Sequence, residues 1–226
     1  MATYKFEFRH RANASEAIDK RHETFISDIA GLAPPWNLAE LSALPDIGAE
    51  LLVTVSLDKF LPKGVKGRLT YMLRNEKYLK DDAQYDDTLF IEFNPGKIDL
   101  QDFTSGVFTT YIKAFKCYRA TLHDWSITRS DWPVVVEVGE RLGKDINGRD
   151  GIYRINSINY FDEILCQREF GLSAGEISKL LKNQAETATE FESGLLLILD
   201  THLLSSGEWK ERGESVKRAL QHARSE

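Results

Sequence analysis

From Val107 to Leu122, apolar side chains return every three or four residues: Val107, Phe108, Tyr111, Ile112, Phe115, Tyr118 and Leu122. This spacing lines them along one stripe of a helix, for which Thr104 or Ser105 supplies a cap. A stripe this aromatic has to be covered. The sequence therefore predicts a central packing helix around which the rest of the chain closes.

The flanking sequence reads mostly as short strands. Tyr4-Lys5-Phe6-Glu7-Phe8-Arg9 alternates apolar and charged residues, the period of a half-buried strand. Asn13 and Glu16 have capping-box spacing ahead of Ile18, Phe25, Ile26 and Ile29, which predicts a helix over residues 14–30, stopped by Gly31. Ala33-Pro34-Pro35-Trp36-Asn37 cannot continue it, because proline lacks an amide hydrogen and clashes with the preceding turn. Residues 51–57, 68–73 and 88–93 read as strands, the last closed by the turn Asn94-Pro95-Gly96. Beyond the central helix, the Trp-rich run 125–132 resembles a joint between lobes. A strand is expected over 133–138, an exposed loop over 143–151, a strand over 152–158 and a short helix over 160–170. Ser173 and Glu176 open another helix that runs to Asn183. A hairpin follows, with arms 185–191 and 195–200 about Glu192-Ser193-Gly194, and then a last helix over 207–223 with Trp209, Val216 and Leu220 on one face.

Strands joined by such short connections favour an α+β fold: antiparallel sheets with amphipathic helices packed on one face. Each half ends with antiparallel strands followed by an amphipathic helix, which suggests two related lobes. Their expected extents are 1–124 and 133–226, with the joint at 125–132, and the two can also form one continuous domain. At 226 residues, with 42% hydrophobic and 28% charged side chains, the chain can bury a substantial core.

Cys117 and Cys166 lie in apolar patterns and read as buried thiols of a reducing compartment. The N-terminal MATYKFEFRHRANAS lacks the apolar run of a signal peptide. The longest aliphatic stretch, residues 195–199, is far short of the roughly 20 residues that cross a bilayer. A soluble cytoplasmic protein without membrane attachment is expected. A pI near 5.5 argues against direct binding to nucleic-acid phosphates. Lys113, Lys116 and Arg119 read as a solvated helix face.

Little in the sequence resembles a catalytic apparatus. The histidines His10, His22, His123, His202 and His222 are scattered, without Cys-x-x-Cys or His-Glu-x-x-His spacing. Gly64-Val65-Lys66-Gly67-Arg68 is too short for a phosphate-binding loop. The run from Asp145 to Gly151 imitates a calcium loop, but Arg149 stands at its fifth position and Asp150 where a glycine is required. Cys117 and His123, six residues apart, fall about 120° from sharing a helix face. Glu92 with Asp86 or Asp87 is the best carboxylate pair for acid–base hydrolysis, although Asn94 stands where a metal-dependent nuclease places a lysine. No catalytic, cofactor-binding or metal-binding residue is assigned, no cofactor is expected, and the chain reads as a binding protein rather than an enzyme.

Charge offers a positive clue. Residues 81–102 hold seven acids and one base, a net of −6 that equals the net charge of the whole chain. Asp81, Asp82, Asp86 and Asp87 precede a strand in a polar segment and are expected to project into solvent. There they would steer a positively charged partner, such as the substrate groove of a nuclease. Affinity itself needs aromatic anchors, for which Trp125 and Trp132 at the joint are the nearest candidates and Trp36 another.

Two stretches carry a family resemblance. They are TLFIEFNPGKIDLQDFTSGVFTTYIKAFKCYRA, from Thr88 to Ala120, and GRDGIYRINSINYFDEILCQREFGLSAGEISKLL, from Gly148 to Leu181, the latter followed by the hairpin ESGLLLILD. As a pattern of elements the chain resembles the immunity proteins of bacterial polymorphic toxin and type VI secretion systems, especially the immunity protein 52 family. The resemblance implies a non-enzymatic antitoxin that binds a cognate secreted toxin, often a nuclease, and occludes its active site. It carries over no functional residue. A carboxylate-dependent hydrolase and a non-catalytic adaptor module are the alternatives.

Overall fold

The computed structural model describes residues 3–41, 52–77, 79–202 and 205–224. The chain divides into two compact units, Lys5–Cys117 and Tyr118–Glu226, the second including Thr3 and Tyr4.

The first unit is formed from β1 (Tyr4–Arg11), α1 (Ile18–Ile29), β2 (Val53–Ser56), β3 (Val65–Tyr71) and β4 (Asp86–Phe93). A helical stretch follows: α2 (Leu100–Asp102), a π-helix (Phe103–Phe108) and α3 (Thr109–Ala114). The strand order is β2-β3-β4-β1. β3 is antiparallel to both neighbours, with Val55 opposite Leu69 and Leu69 opposite Leu89. Alternation explains the burial: Val65, Leu69 and Tyr71 of β3 and Leu89, Ile91 and Phe93 of β4 point inward. They meet an aromatic cluster in which Phe6 stacks on Phe103 at 4.6 Å and on Phe93 at 5.7 Å. Phe25 of α1 sets its edge against Tyr111 and Phe115. Leu51, the first residue of the strand expected over 51–57, lies outside the described residues.

The second unit contains β5 (Arg119–Asp124), α4 (Trp125–Leu142), β6 (Ile158–Asp162), α5 (Glu163–Phe170), α6 (Ala174–Leu181), β7 (Thr187–Phe191), β8 (Gly194–Ile198) and α7 (Ser206–Ala223). Its strands run in the order β5-β6-β8-β7, each antiparallel to the next. Alternate residues Leu195 and Leu197 of β8 join Leu199 and Phe161 in one core with Leu165, Phe170, Ile177, Val216 and Leu220 of the helices. Truncating a fully buried member such as Leu165 or Leu197 should cost about 2–5 kcal/mol. Two close backbone approaches require glycine. A Cβ on Gly213 of α7 would lie 2.0 Å from the Ile155 carbonyl oxygen, and one on Gly194 would lie 2.2 Å from that of Phe161.

The α+β class expected from the sequence is the observed one. Several local expectations are corrected. The aromatic helix expected to reach residue 122 ends at Ala114; Lys116 turns the chain at φ 43°, and residues 119–124 are strand. Every residue of β5 is buried, so it lacks the alternation that marks a half-exposed strand. Arg119 is thereby buried and does not share a solvated face with Lys113 and Lys116. The joint expected at 125–132 and the strand at 133–138 form one 18-residue helix, α4. It is capped by Asp124 and closed by Gly143 at φ 61°, whose left-handed conformation ends helices. Residues 152–157 are irregular, and the helix expected over 160–170 begins at Glu163, after β6. Asn13 spends its side chain on a local turn with Ser15, so α1 starts at Ile18 without a side-chain cap.

Candidate functional site

The acidic segment is divided between surface and interior. Asp81 is exposed and Asp82 half-buried, its carboxylate accepting the Gln84 amide at the start of a short 3-10 turn. Asp86 and Asp87 are buried in β4, against the expectation that all four would project into solvent. Asp87 accepts from Arg74 Nη1 at 2.9 Å, from Arg74 Nη2 at 2.6 Å and from the Met72 amide at 2.9 Å. Asp86 lies 3.6 Å from Arg9 Nη1. A buried carboxylate persists as an anion only with such partners, so the polar sequence here encodes internal ion pairs. Asp99 caps α2 through the Asp102 amide. The exposed acids of the segment are thus Asp81, Asp99 and Asp102.

The carboxylates considered for hydrolysis do not converge. Glu92 sits opposite Lys66 in the β3–β4 register, five residues along β4 from Asp87. At about 3.3 Å per residue that is a separation of about 17 Å. Glu92 and Lys66 are an opposite-charge cross-strand pair. The residues considered as a nucleophile pair are each buried: the Cys117 thiol is enclosed, and His123 Nε2 bonds Thr121 Oγ1 at 2.7 Å.

Several ionisable groups of the first unit form a partly buried network around Glu16. Glu16 takes His10 Nε2 at 3.1 Å and lies 3.8 Å from Arg21 Nε and 3.7 Å from Lys116 Nζ. The His10 hydrogen bond first, then the charges of Arg21, His10 and Lys116, outweigh burial and hold its carboxyl at about 2. The enclosed Arg21 guanidinium donates to the Phe115 carbonyl. Tyr71, hydrogen-bonded to His22 Nδ1 at 3.0 Å, has its hydroxyl pKa pushed up by burial, as does Tyr111. Burial likewise raises the Cys117 thiol and, with the charges of Glu163 and Asp162, brings Cys166 to about 12. Each shift carries its group away from neutrality, opposite to what general acid–base or thiolate chemistry at neutral pH requires. In the 143–151 loop of the second unit, Asp150 accepts the Asp145 amide at 2.9 Å and Asp145 accepts the Arg149 amide at 3.1 Å, so these carboxylates stabilise the loop itself.

Helix α4 behaves differently. Ile127 is its buried residue, whereas Trp132 is 60% exposed, Leu142 54% and Val134 44%. Trp125, at the first position, is half-buried, and its amide donates to the Thr3 carbonyl at 3.0 Å. Asp131 anchors the middle of the helix through Arg154, whose Nη2 lies 2.9 Å from Asp131 Oδ1. Trp132 and Val135 line a notch of about 20 Å³ with His123, Tyr153 and Arg154. At about 100° per residue, Trp125, Trp132 and Val136 share one stripe. By the same count exposed Val134 lies on the opposite side of the helix, and Leu142 about 100° from the stripe in the last turn. The composition works against a helix: Val134, Val135, Val136 and Val138 are β-branched, Pro133 lacks an amide hydrogen, and Gly139 adds backbone entropy. The sequence marked Trp125 and Trp132 but missed the helix that carries them. A cap–Gly143 pair at the right distance was the available signal.

Among the described residues, one group combines metal-ligand atoms. Those of Glu186, Asp200 and His202 lie within 4.8 Å of one another. No helix among the described residues is long and apolar enough to cross a membrane. No protein-family model matches the sequence, and no curated protein matches it.

Proposed function

We propose that this protein is a protein-binding inhibitor of the immunity type, which docks a cognate secreted toxin through α4 and occludes its active site. The observation that supports the reading is an 18-residue helix of poor helical composition that leaves Trp132, Val134, Val136 and Leu142 in solvent. Places where local preference and fold disagree are where function is found. An exposed tryptophan beside a notch, with Val136 on the same stripe, has the composition of an interface anchor. The net charge of −6 favours a basic partner, as a nuclease groove would be. Steering falls to exposed Asp81, Asp99 and Asp102, since Asp86 and Asp87 are held by arginines of their own unit. The protonated thiols and tyrosines and the separated Glu92 and Asp87 favour binding over catalysis.

The test is affinity purification of the tagged full chain from its native host, beside a Trp132→Asp variant of equal thermal stability. A toxin-like protein retained by the wild type and lost from the variant supports the reading. Equal retention by both assigns the interface elsewhere. If the bound protein retains its activity in the complex, the inhibitory role is refuted.

A further inference from the structure

We propose that Glu186, Asp200 and His202 bind a divalent transition-metal ion at the end of the β7–β8 pair. The ladder closes with Thr187 opposite Ile198. Glu186 immediately precedes β7, while Asp200 and His202 follow β8, so the register delivers two carboxylates and an imidazole to one spot.

The orientations of the two carboxylates are set by groups behind them. Asp200 is buried; Arg212 Nη1 donates to its Oδ2 at 2.8 Å, and the His202 amide donates to Oδ1 at 2.7 Å. Glu186 Oε2 accepts both the amide and the hydroxyl of Thr201, each at 3.0 Å. These contacts leave Glu186 Oε1 at 3.6 Å and Asp200 Oδ1 at 3.1 Å from His202 Nδ1. Ligand atoms around a tetrahedral ion, each about 2.0–2.2 Å from the metal, are separated by roughly 3.3–3.6 Å; the two distances to His202 Nδ1 are close to that, and all three ligand atoms lie within 4.8 Å of one another. Two carboxylates and one imidazole are a zinc-type donor set with a fourth position for water, and the nitrogen ligand selects against magnesium and calcium. Arg212 and Thr201 play the part that outer hydrogen-bond partners play in metal sites, fixing the two carboxylates before the ion arrives. Bound there, the ion would cross-link the start of β7 to the segment after β8. The clue in the sequence is the Asp-x-His spacing of Asp200 and His202, with its third ligand brought in by the hairpin.

The experiment uses the full chain stripped with EDTA, titrated calorimetrically with zinc chloride, and melted with and without zinc. The wild type should take up one equivalent and melt at higher temperature with zinc. His202→Ala and Glu186→Gln, both at exposed positions, should each weaken binding by about tenfold or more and abolish the thermal shift. His222→Ala, in the last turn of α7, serves as the histidine control and should bind as the wild type does. Absence of zinc uptake by the wild type, or uptake unchanged in both ligand variants, overturns the proposal. Calcium binding of equal strength that survives His202→Ala overturns the assignment to a transition metal.

Discussion

Arg74 holds both carboxylate oxygens of Asp87, Nη1 on Oδ1 at 2.9 Å and Nη2 on Oδ2 at 2.6 Å, with side-chain exposures of 6% and 0%. Removing one partner from such a pair strands the other charge in a medium that cannot solvate it. Asp87→Asn or Arg74→Ala should therefore destabilise the protein by about 3–5 kcal/mol in chemical denaturation. The double replacement Arg74→Met with Asp87→Leu should recover most of that loss, because no charge is then left buried. A single variant as stable as the wild type would show that the pair does not hold the fold.

Glu16 gives the first unit a pH dependence. Its folded pKa, about 2, lies below the ordinary 4.5, chiefly through the His10 hydrogen bond. A depressed carboxyl stabilises fully above the unfolded value and loses that contribution as pH falls through the folded one. The relevant window is therefore between 4.5 and about 2. The carboxylate is 27% exposed, which reduces the full shift to about 2 kcal/mol. Glu16→Gln should be less stable than the wild type by about that amount at neutral pH, and the gap should close on acidification. A gap independent of pH would refute the assignment.

The sequence made some elements legible and hid others for identifiable reasons. β1 announced itself by alternation, and α6 by the Ser173–Glu176 capping box, in which both reciprocal bonds form. The same signal stood at Ser205 and Glu208 ahead of α7. β5 was concealed because burial on both faces erases the period-two signal, leaving Tyr118 and Leu122 in apparent helical phase with Phe115. In α4 four valines argued for a strand, while the cap at Asp124 and the stop at Gly143 lay 19 residues apart. Asp86 and Asp87 were visible as charge but not as buried charge, because their partners, Arg9 and Arg74, come from elsewhere in the chain. The metal-ligand group needed the β7–β8 register to bring Glu186 to Asp200.

Asp124 ties two helix N-termini of the second unit. Its Oδ1 accepts the Ser126 amide at 2.7 Å and the Ser126 hydroxyl at 2.6 Å, while Oδ2 accepts the Ser206 hydroxyl at 2.5 Å. The carboxylate is 2% exposed as a residue and lies at the positive ends of α4 and α7. Asp124→Ala removes a cap and a bridge together, and a loss of about 2–3 kcal/mol is expected in equilibrium unfolding. Asp124→Ser, which keeps a capping oxygen but gives up the bridge, should lose about half as much. Equal losses from both would place the whole effect in the bridge to Ser206.

Ile127 and Trp132, five residues apart on α4, should respond to truncation in opposite ways. Ile127 is 8% exposed and packs inward, so Ile127→Ala should cost about 2–4 kcal/mol of folding stability. Trp132 is 60% exposed, and Trp132→Ala should change stability by no more than about 0.5 kcal/mol. If α4 is the docking element, the same Trp132 variant should weaken binding of the co-purified partner by about 2 kcal/mol or more in calorimetric titration, since truncated anchors lose buried area at the complex. Val136→Ala, on the same stripe, should lose less, having less surface to bury. The two readouts separate the roles. A residue that serves folding moves the melting curve first, while an interface residue moves the affinity alone. A Trp132 variant that unfolds easily assigns the residue to folding, and one that binds as tightly as the wild type removes α4 from the interface.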